Sequence, residues 1–183
     1  MLSQEQALAD TRRWLERAVI GLQLCPFAKA VYVKEQVHLA VCDADDETAI
    51  LEAFDAEVTQ LLALAPDLRD TALLILPQGM EDFLRFHALS ARAERALRKR
   101  GLEGVLQLAT FHPRFVFAGA GDDELANFTN RAPHPTLHLL REDSIARAVA
   151  AYPDPAAIYE RNIATLESLG EPGWRALGVE ASS

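Results

Sequence analysis

The stretch Thr71-Ala72-Leu73-Leu74-Ile75-Leu76, followed at once by Pro77-Gln78-Gly79, decides the fold class. The run is apolar after its first residue, and it is short and ends at turn-forming residues. This combination is typical of a strand that is buried on both faces of a sheet. A strand buried on both faces requires elements packed on each side of the sheet. The run therefore predicts the central strand of a sheet flanked by helices.

Strand and helix patterns alternate on both sides of this run. Strand patterns cover 31–42, 105–111 and 136–140. Helical patterns cover an opening segment that ends near residue 21, a stripe over 50–62, and 80–100, 143–151 and 155–169. This alternation implies right-handed crossovers and some parallel pairing. We expect an α/β sandwich with a roughly four-stranded, mixed or mostly parallel sheet, as one domain over 1–172 with a flexible C-terminal tail over 173–183.

The composition limits the classes of partner. The 183 residues include 18 Lys plus Arg and 27 Asp plus Glu, which gives a formal net charge of −9. This balance disfavours nucleic acid and anionic membranes, which attract positive charge. A cationic cluster over 92–100 could be a nucleic-acid patch, but it also suits a solvated helix end. We therefore expect a small molecule or a protein as the partner.

The sequence also indicates a location. Its apolar runs are far shorter than the roughly 18 residues of a membrane-spanning helix, and its first residues do not form a secretory signal pattern. Cys25 and Cys42 are the only cysteines, and their spacing indicates no disulfide framework. A cytoplasmic protein is expected. No nucleotide-binding motif is present, so no cofactor is expected.

One long segment lacks apolar periodicity and is the candidate site. It runs from 111 to 138 and mixes phenylalanines with polar side chains, as in a pocket with apolar walls and a few directed donors. His112 and His134 each precede a proline, which holds the backbone extended and could orient the rings. The predicted pocket contains Cys25, His112, Asn127, Asn130, Arg131, His134 and His138.

Three chemistries are compatible with these residues. In the first, His134 and His138 hold a metal ion, but an extended chain would separate them by about 13 Å, so no metal site is predicted. In the second, Cys25 is a nucleophile assisted by an imidazole such as His112. Cys25-Pro26-Phe27-Ala28 resembles the active-site segment of omega-class glutathione transferases, yet there the cysteine follows a strand, whereas here it follows a helical pattern.

In the third chemistry, Arg131 binds a carboxylate or phosphate, with Asn127 and Asn130 as uncharged donors. The planar guanidinium forms bidentate hydrogen bonds with such groups. Arg131 could equally pair with a nearby carboxylate, and the candidates are Asp122, Asp123, Glu124 and Glu142.

Three segments together resemble a known family. They are Gly21-Leu22-Gln23-Leu24-Cys25-Pro26-Phe27-Ala28-Lys29, Gln107-Leu108-Ala109-Thr110-Phe111-His112-Pro113, and the stretch from Asn127 to Glu142, which reads NFTNRAPHPTLHLLRE. On these segments the chain is similar to the bacterial DUF1415 family of proteins of unknown function. The resemblance implies a stand-alone cytoplasmic bacterial protein. It brings no established activity and hence no catalytic residues.

The leading hypothesis is a small-molecule enzyme or binder that recognises an anionic group. In the enzyme version, His112 or His134 is the general acid or base, and Cys25 is a nucleophile or a polarisable wall. Asn127, Asn130, Arg131 and His138 would bind the ligand. The alternative is a noncatalytic interaction module in which the 111–138 loop is structural.

Overall fold

The computed structural model describes residues 3–182 and contains a four-stranded mixed sheet. The strands are β1 (Val37–Val41), β2 (Thr71–Ile75), β3 (Leu106–Phe111) and β4 (Thr136–Arg141). Their order in the sheet is β1-β2-β4-β3. β1 pairs parallel with β2, whereas β4 pairs antiparallel with both β2 and β3. The predicted α/β class with a mixed sheet is confirmed.

The helices pack on both faces of this sheet. They are α1 (Gln4–Trp14), α2 (Ala28–Val33), α3 (Glu47–Ala63), α4 (Phe83–Lys99), α5 (Glu142–Ala150) and α6 (Ala157–Ala176). A π-helical segment, Leu15–Ile20, continues α1, and a 3-10 helix spans Leu125–Asn130. Within residues 3–182, no helix is long and apolar enough to cross a membrane.

The β2 strand is central, as its sequence predicted, and all five of its residues are buried. Its side chains alternate between the two faces of the sheet. Ala72 and Leu74 belong to the apolar core with α3 and α4. Leu73 belongs to a second core with α1, α6 and the 3-10 helix.

Side-chain caps begin three of the helices. Ser3 Oγ accepts a hydrogen bond from the Gln6 N–H at 3.1 Å. The Asp46 carboxylate accepts from the Ala49 N–H, and the Asp82 carboxylate from the Arg85 N–H. Each cap satisfies a backbone donor that has no partner within its helix.

The predicted strand over 31–42 is wrong in its first half. Residues 28–33 form α2, and the strand begins only at Val37. The chain leaves α2 through Glu35, whose φ of +57° is left-handed. Tyr32 holds the helix against the π-helical segment by donating a hydrogen bond to Glu16. Val31 and Val33 favour strands only weakly, because β-propensity depends on the surroundings of the side chain.

The C-terminal residues pack against the second core. Gly170, with a φ of +65°, interrupts α6 where the sequence predicted its end, but helical structure resumes and continues to Ala176. A flexible tail was expected from residue 173, whereas in the structure Trp174 and Val179 are buried. These two side chains remove apolar surface from water, which stabilises the packed position.

The C-terminal ends of β2 and β3 and the N-terminal end of β4 meet along one edge of the sheet. β2 and β3 both run antiparallel to β4, so the ends of β2 and β3 lie beside the start of β4. The Leu76 N–H donates to the Pro135 carbonyl at 2.9 Å, and the His112 N–H donates to the Asn130 carbonyl at 3.1 Å. This edge therefore brings residues near 77, 112 and 134 together.

Candidate functional site

A groove of about 590 Å³ lies at this edge of the sheet. Its walls are mostly apolar and come from the ends of β2 and β3, the start of β4 and the C-terminal segment. The apolar lining residues are Pro77, Pro113, Phe128, Ala132, Pro133, Pro135, Trp174, Val179 and Ala181, and the polar ones are Glu81, Arg114, Arg131, His134 and Glu180. A mostly apolar concave surface with a few polar groups is the usual form of a small-molecule site.

His134 and Asp10 form a buried pair beside the groove. Nε2 of His134 lies 3.1 Å from Oδ2 of Asp10. Asp10 is fully buried, and only 4% of the His134 surface is exposed. The two residues come from α1 and from the turn before β4, so the fold brings them together.

The Asp10 carboxylate is ionised because its surroundings supply hydrogen bonds. Oδ1 accepts from Gln6, Arg13 and the Ser182 hydroxyl, and Oδ2 accepts from the Ser182 N–H and His134. Burial alone raises the pKa of Asp10, but the hydrogen bonds from Ser182, Gln6 and Arg13 outweigh it and lower the pKa to about 2. At neutral pH this carboxylate can only accept hydrogen bonds.

The charge on Asp10 determines the tautomer of His134. An ionised carboxylate accepts, so the proton of the neutral imidazole lies on Nε2. Burial lowers the pKa of His134, although the hydrogen bond and the charge of Asp10 act in the opposite direction. Nδ1 has no hydrogen-bond partner among residues 3–182 and is not fully buried, and His134 is one of the residues that line the groove.

Two arginines bring positive charge to the groove. Arg131 donates to the Phe115 and Asp122 carbonyls, and its guanidinium carbon lies 4.2 Å from the Phe128 ring centre. Burial lowers the pKa of Arg131, against the opposing charge of Asp122. Arg114 donates to the Glu81 carbonyl. Within residues 3–182, neither arginine forms an ion pair with a carboxylate.

His112 lies behind the groove, and both of its ring nitrogens have partners. Nδ1 accepts from the Arg114 N–H at 2.9 Å, so Nε2 carries the proton and donates to the Met80 carbonyl at 3.0 Å. Burial lowers the pKa of His112, although the Met80 carbonyl acts in the opposite direction. The ring ties the start of the loop after β3 to the segment before α4.

Asn127 and Asn130 hold the same loop. Asn127 is fully buried; its side chain accepts from the Phe117 N–H and donates to the Gly121 carbonyl. The Asn130 amide donates to the Thr110 carbonyl at 3.0 Å. Both side chains therefore fold the backbone around the groove without lining it.

His138 and Cys25 lie away from the groove. The Thr71 hydroxyl donates to the Leu139 carbonyl at 2.5 Å, so it accepts from Nε2 of His138 at 2.7 Å. Burial lowers the pKa of His138 to about 4. Burial likewise raises the pKa of the Cys25 thiol, although the N–H groups of Phe27 and Ala28 act in the opposite direction. Cys25 packs at the margin of the second core, so its thiol is not activated.

The structure thus brings Arg131 and His134 together on one groove and places the other predicted residues elsewhere. No cluster of three or more His, Cys, Asp or Glu side chains suited to a metal ion occurs within residues 3–182. Asp10 was missed by the sequence reasoning. It lies on the buried stripe of α1 with Ala7, Thr11 and Trp14. A carboxylate on the apolar side of a helix is the signal that could have found it.

A comparison with known families identifies the chain. Residues 6–176 match the family described as Protein of unknown function (DUF1415). The chain belongs to the DUF1415 family. No curated protein matches the chain, and no solved structure does. The matched range of this DUF1415 protein includes Asp10, Arg131 and His134, so the buried pair and most of the groove lie within it, whereas the lining residues Val179, Glu180 and Ala181 lie beyond it.

The site of this DUF1415 protein combines groups for proton transfer and for anion binding. An imidazole oriented by a carboxylate, with its second nitrogen open to a pocket, can take a proton from a bound molecule and return it. Guanidinium groups without ion pairs can bind a carboxylate or a phosphate. The apolar walls suit the uncharged part of the same molecule.

Proposed function

We propose that this protein binds a small anionic molecule in the groove and that His134 acts there as a general acid and base. Arg131 and Arg114 bind the anionic group, and Phe128 and Trp174 contact the apolar part of the molecule. Asp10 is a positioning residue that acts through His134. The proposal names a class of ligand and a proton-transfer step, and it assigns no overall reaction.

The pairing of Asp10 with His134 is the observation that carries the proposal. A buried ionised carboxylate holds the Nε2–H, so Nδ1 is the basic atom of a histidine that lines the groove. Both ring nitrogens of His112 have partners, whereas Nδ1 of His134 has none among residues 3–182. This difference distinguishes His134 from His112.

Titration with benzoate, followed by NMR of ¹⁵N-labelled protein, tests the binding part. Benzoate combines a carboxylate with an apolar ring, so it matches both parts of the groove. The expected result is saturable shifts of backbone signals from residues that line the groove. Arg131→Met and Arg114→Met should each weaken binding by about tenfold or more, because each removes a hydrogen bond to a charged group.

A matched variant controls for the loss of one positive charge. Arg95 is exposed on α4, outside the groove, so Arg95→Met should leave the dissociation constant unchanged. Shifts scattered over the surface, or equal affinities in Arg131→Met, Arg114→Met and wild type, would contradict an anion site in the groove.

A noncatalytic interaction module is the second candidate. The side chains of His112, Asn127 and Asn130 all serve the loop backbone, which favours a structural role for the segment. Asn127→Ala should lower the free energy of unfolding by about 2 kcal/mol with either function. With an interaction module, benzoate would leave the groove signals unchanged. Saturable shifts at the groove would favour the small-molecule site instead.

The proposal extends to the setting of the protein. A reducing bacterial cytoplasm is supported by Cys25 and Cys42, which are both free thiols, and by the family resemblance. A role without nucleic acid is supported by the acidic net charge of −9. It is also supported by the α4 arginines, since Arg92 pairs with Glu47 and Arg100 with Asp55.

A further inference from the structure

The C-terminal segment 177–182, here called the strap, forms one wall of the groove. Its residues Val179, Glu180 and Ala181 line the same cavity as Arg131 and His134. The strap follows the end of α6 at Ala176 and crosses over α1. Any molecule in the groove would therefore contact the strap.

Side-chain hydrogen bonds and one buried apolar residue hold the strap in place. Arg13 Nη2 donates to the Glu180 carbonyl and to the Ser182 hydroxyl, and the Gln6 amide donates to the Ser182 hydroxyl. Arg13 Nε donates to the Gly178 carbonyl at 2.6 Å, and Arg17 Nη1 donates to the Leu177 carbonyl at 2.8 Å. Val179, at 2% exposure, is its buried apolar anchor. A terminal segment that buries only one apolar side chain opens more easily than the core of a protein.

The strap also contacts the carboxylate that orients His134. The Ser182 hydroxyl donates to Asp10 Oδ1 at 2.6 Å, and the Ser182 N–H donates to Oδ2 at 3.0 Å. Oδ2 is the atom that accepts from His134. Opening of the strap would remove two donors from this carboxylate and admit water beside His134.

Gly178 marks the position from which the strap can turn. Its φ of +61° lies in the left-handed region that side chains with a Cβ rarely adopt. The residue directly follows Leu177, the last capping residue of α6. The chain direction changes here between the rigid helix and the strap.

We infer that the strap is a gate, which forms part of the groove lining in the structure described and swings away to admit and release the ligand. This inference rests on the proposed function, because it concerns access to the same site. It assigns a regulatory role to contacts that α1 makes through Asp10 and Arg13 and that the π-helical segment makes through Arg17. The gate controls the access of a ligand to His134.

Modification by diethyl pyrocarbonate tests the gate, since this reagent acylates accessible neutral imidazoles. The strap is released in the double variant Arg17→Ala/Val179→Ser, which loses an anchor hydrogen bond and the apolar anchor. Arg12→Ala is the matched control because Arg12 is an exposed arginine of the same helix without a contact to the strap. Mass spectrometry of the tryptic peptide 132–141 measures the reaction, and fragmentation separates His134 from His138.

Release of the strap should speed His134 modification by about tenfold or more, since removal of a buried anchor shifts the opening equilibrium by this order. His138, within the sheet, should react as in wild type, and Arg12→Ala should match wild type at both histidines. An unchanged His134 rate in the double variant would overturn the gate. Equal acceleration at His134 and His138 would indicate global unfolding of the variant. In that case the hydrogen-exchange measurement below decides whether the strap opens in the wild-type protein.

Hydrogen exchange of wild-type protein provides that second measurement. The Ser182 amide should exchange at least about tenfold faster than the central amides of β2, because it opens without global unfolding. Exchange of both at one rate would overturn the gate. Benzoate is absent from both measurements, so their failure is distinguishable from failure of the proposed function, which the benzoate titration reports.

Discussion

Oδ2 of Asp10 accepts a hydrogen bond from Nε2 of His134 over 3.1 Å, across a separation of 124 positions in the chain. The contact joins the first helix to the turn that begins β4. Because Asp10 is ionised and buried, it holds one tautomer of His134 and leaves Nδ1 as the basic atom. The proposed acid–base role depends on this one contact.

Replacement of Asp10 by asparagine tests how much the fold depends on this carboxylate. Asp10→Asn keeps the shape of the side chain but replaces one acceptor oxygen by an NH₂ group, which then faces other hydrogen-bond donors. We therefore expect a loss of about 3 kcal/mol in the free energy of unfolding. Asp55→Asn is the control, since Asp55 forms only an exposed ion pair with Arg100, and its loss should stay within about 0.5 kcal/mol. Urea unfolding at pH 7 measures both. Similar small losses in the two variants would show that the Asp10 network does not stabilise the protein.

The elements predicted correctly are those whose burial leaves a regular pattern. The β2 run and the stripes of α3 and α4 reflect continuous packing against the sheet, which depends on local side-chain order. The short helix α2 was missed because Val31 and Val33 suit a strand as well as a helix. The antiparallel insertion of β4 between β2 and β3 depends on pairing between distant segments, and apolar periodicity does not encode that order.

The pH dependence of stability should reveal the partly buried His138. Its pKa falls to about 4 in the folded state, from an ordinary value of 6.5, because burial disfavours the imidazolium. The unfolded chain therefore binds the proton first, so stability is complete above pH 6.5 and is lost as the pH falls from 6.5 toward 4. Between pH 7 and pH 5 the titration of His138 should lower the free energy of unfolding by about 2 kcal/mol. Asp10 contributes nothing in this window, since its pKa of about 2 and its ordinary value of 3.8 both lie below it.

Two variants separate this effect from general acid sensitivity. His138→Gln retains a side-chain donor for Thr71 but does not titrate, so its stability should fall less between pH 7 and pH 5 than that of wild type. His87→Gln, which changes an exposed histidine on α4, should keep the wild-type dependence. If His138→Gln loses as much stability as wild type over this range, His138 is not the responsible group.

Substitutions at two glycines test whether the turn that contains Gly79 lies as close to Asp45 as the structure shows. Gly79 and Gly119 share a φ of +82°, but a Cβ on Gly79 would lie 2.6 Å from the Asp45 Cα, whereas a Cβ on Gly119 would meet open space. Gly119→Ala should therefore cost about 1 kcal/mol from backbone strain alone. Gly79→Ala should cost about 2 kcal/mol more, since backbone must also shift. Thermal and urea unfolding measure the loss of stability in each variant. Equal losses would mean that Gly79 and Asp45 are not in close contact.

The candidate site was predictable in part. The loop after β3 stood out by composition, and Arg131 and His134 do line the groove. Its other polar residues serve the backbone, because a long loop with buried carbonyls needs internal donors. The partner of His134 could not be read from the sequence, since residues 10, 134 and 182 meet only through the complete fold.

The protonation state of His134 is the most direct test of the proposed function. A long-range ¹H–¹⁵N spectrum of labelled protein at pH 7, assigned by comparison with His134→Gln, reports each ring nitrogen separately. The structure predicts a protonated Nε2 and an unprotonated Nδ1 whose signal shifts on addition of benzoate, and a mixture of tautomers in Asp10→Asn. A protonated Nδ1 in the wild type, or an Asp10→Asn spectrum identical to it, would contradict the general base proposed here.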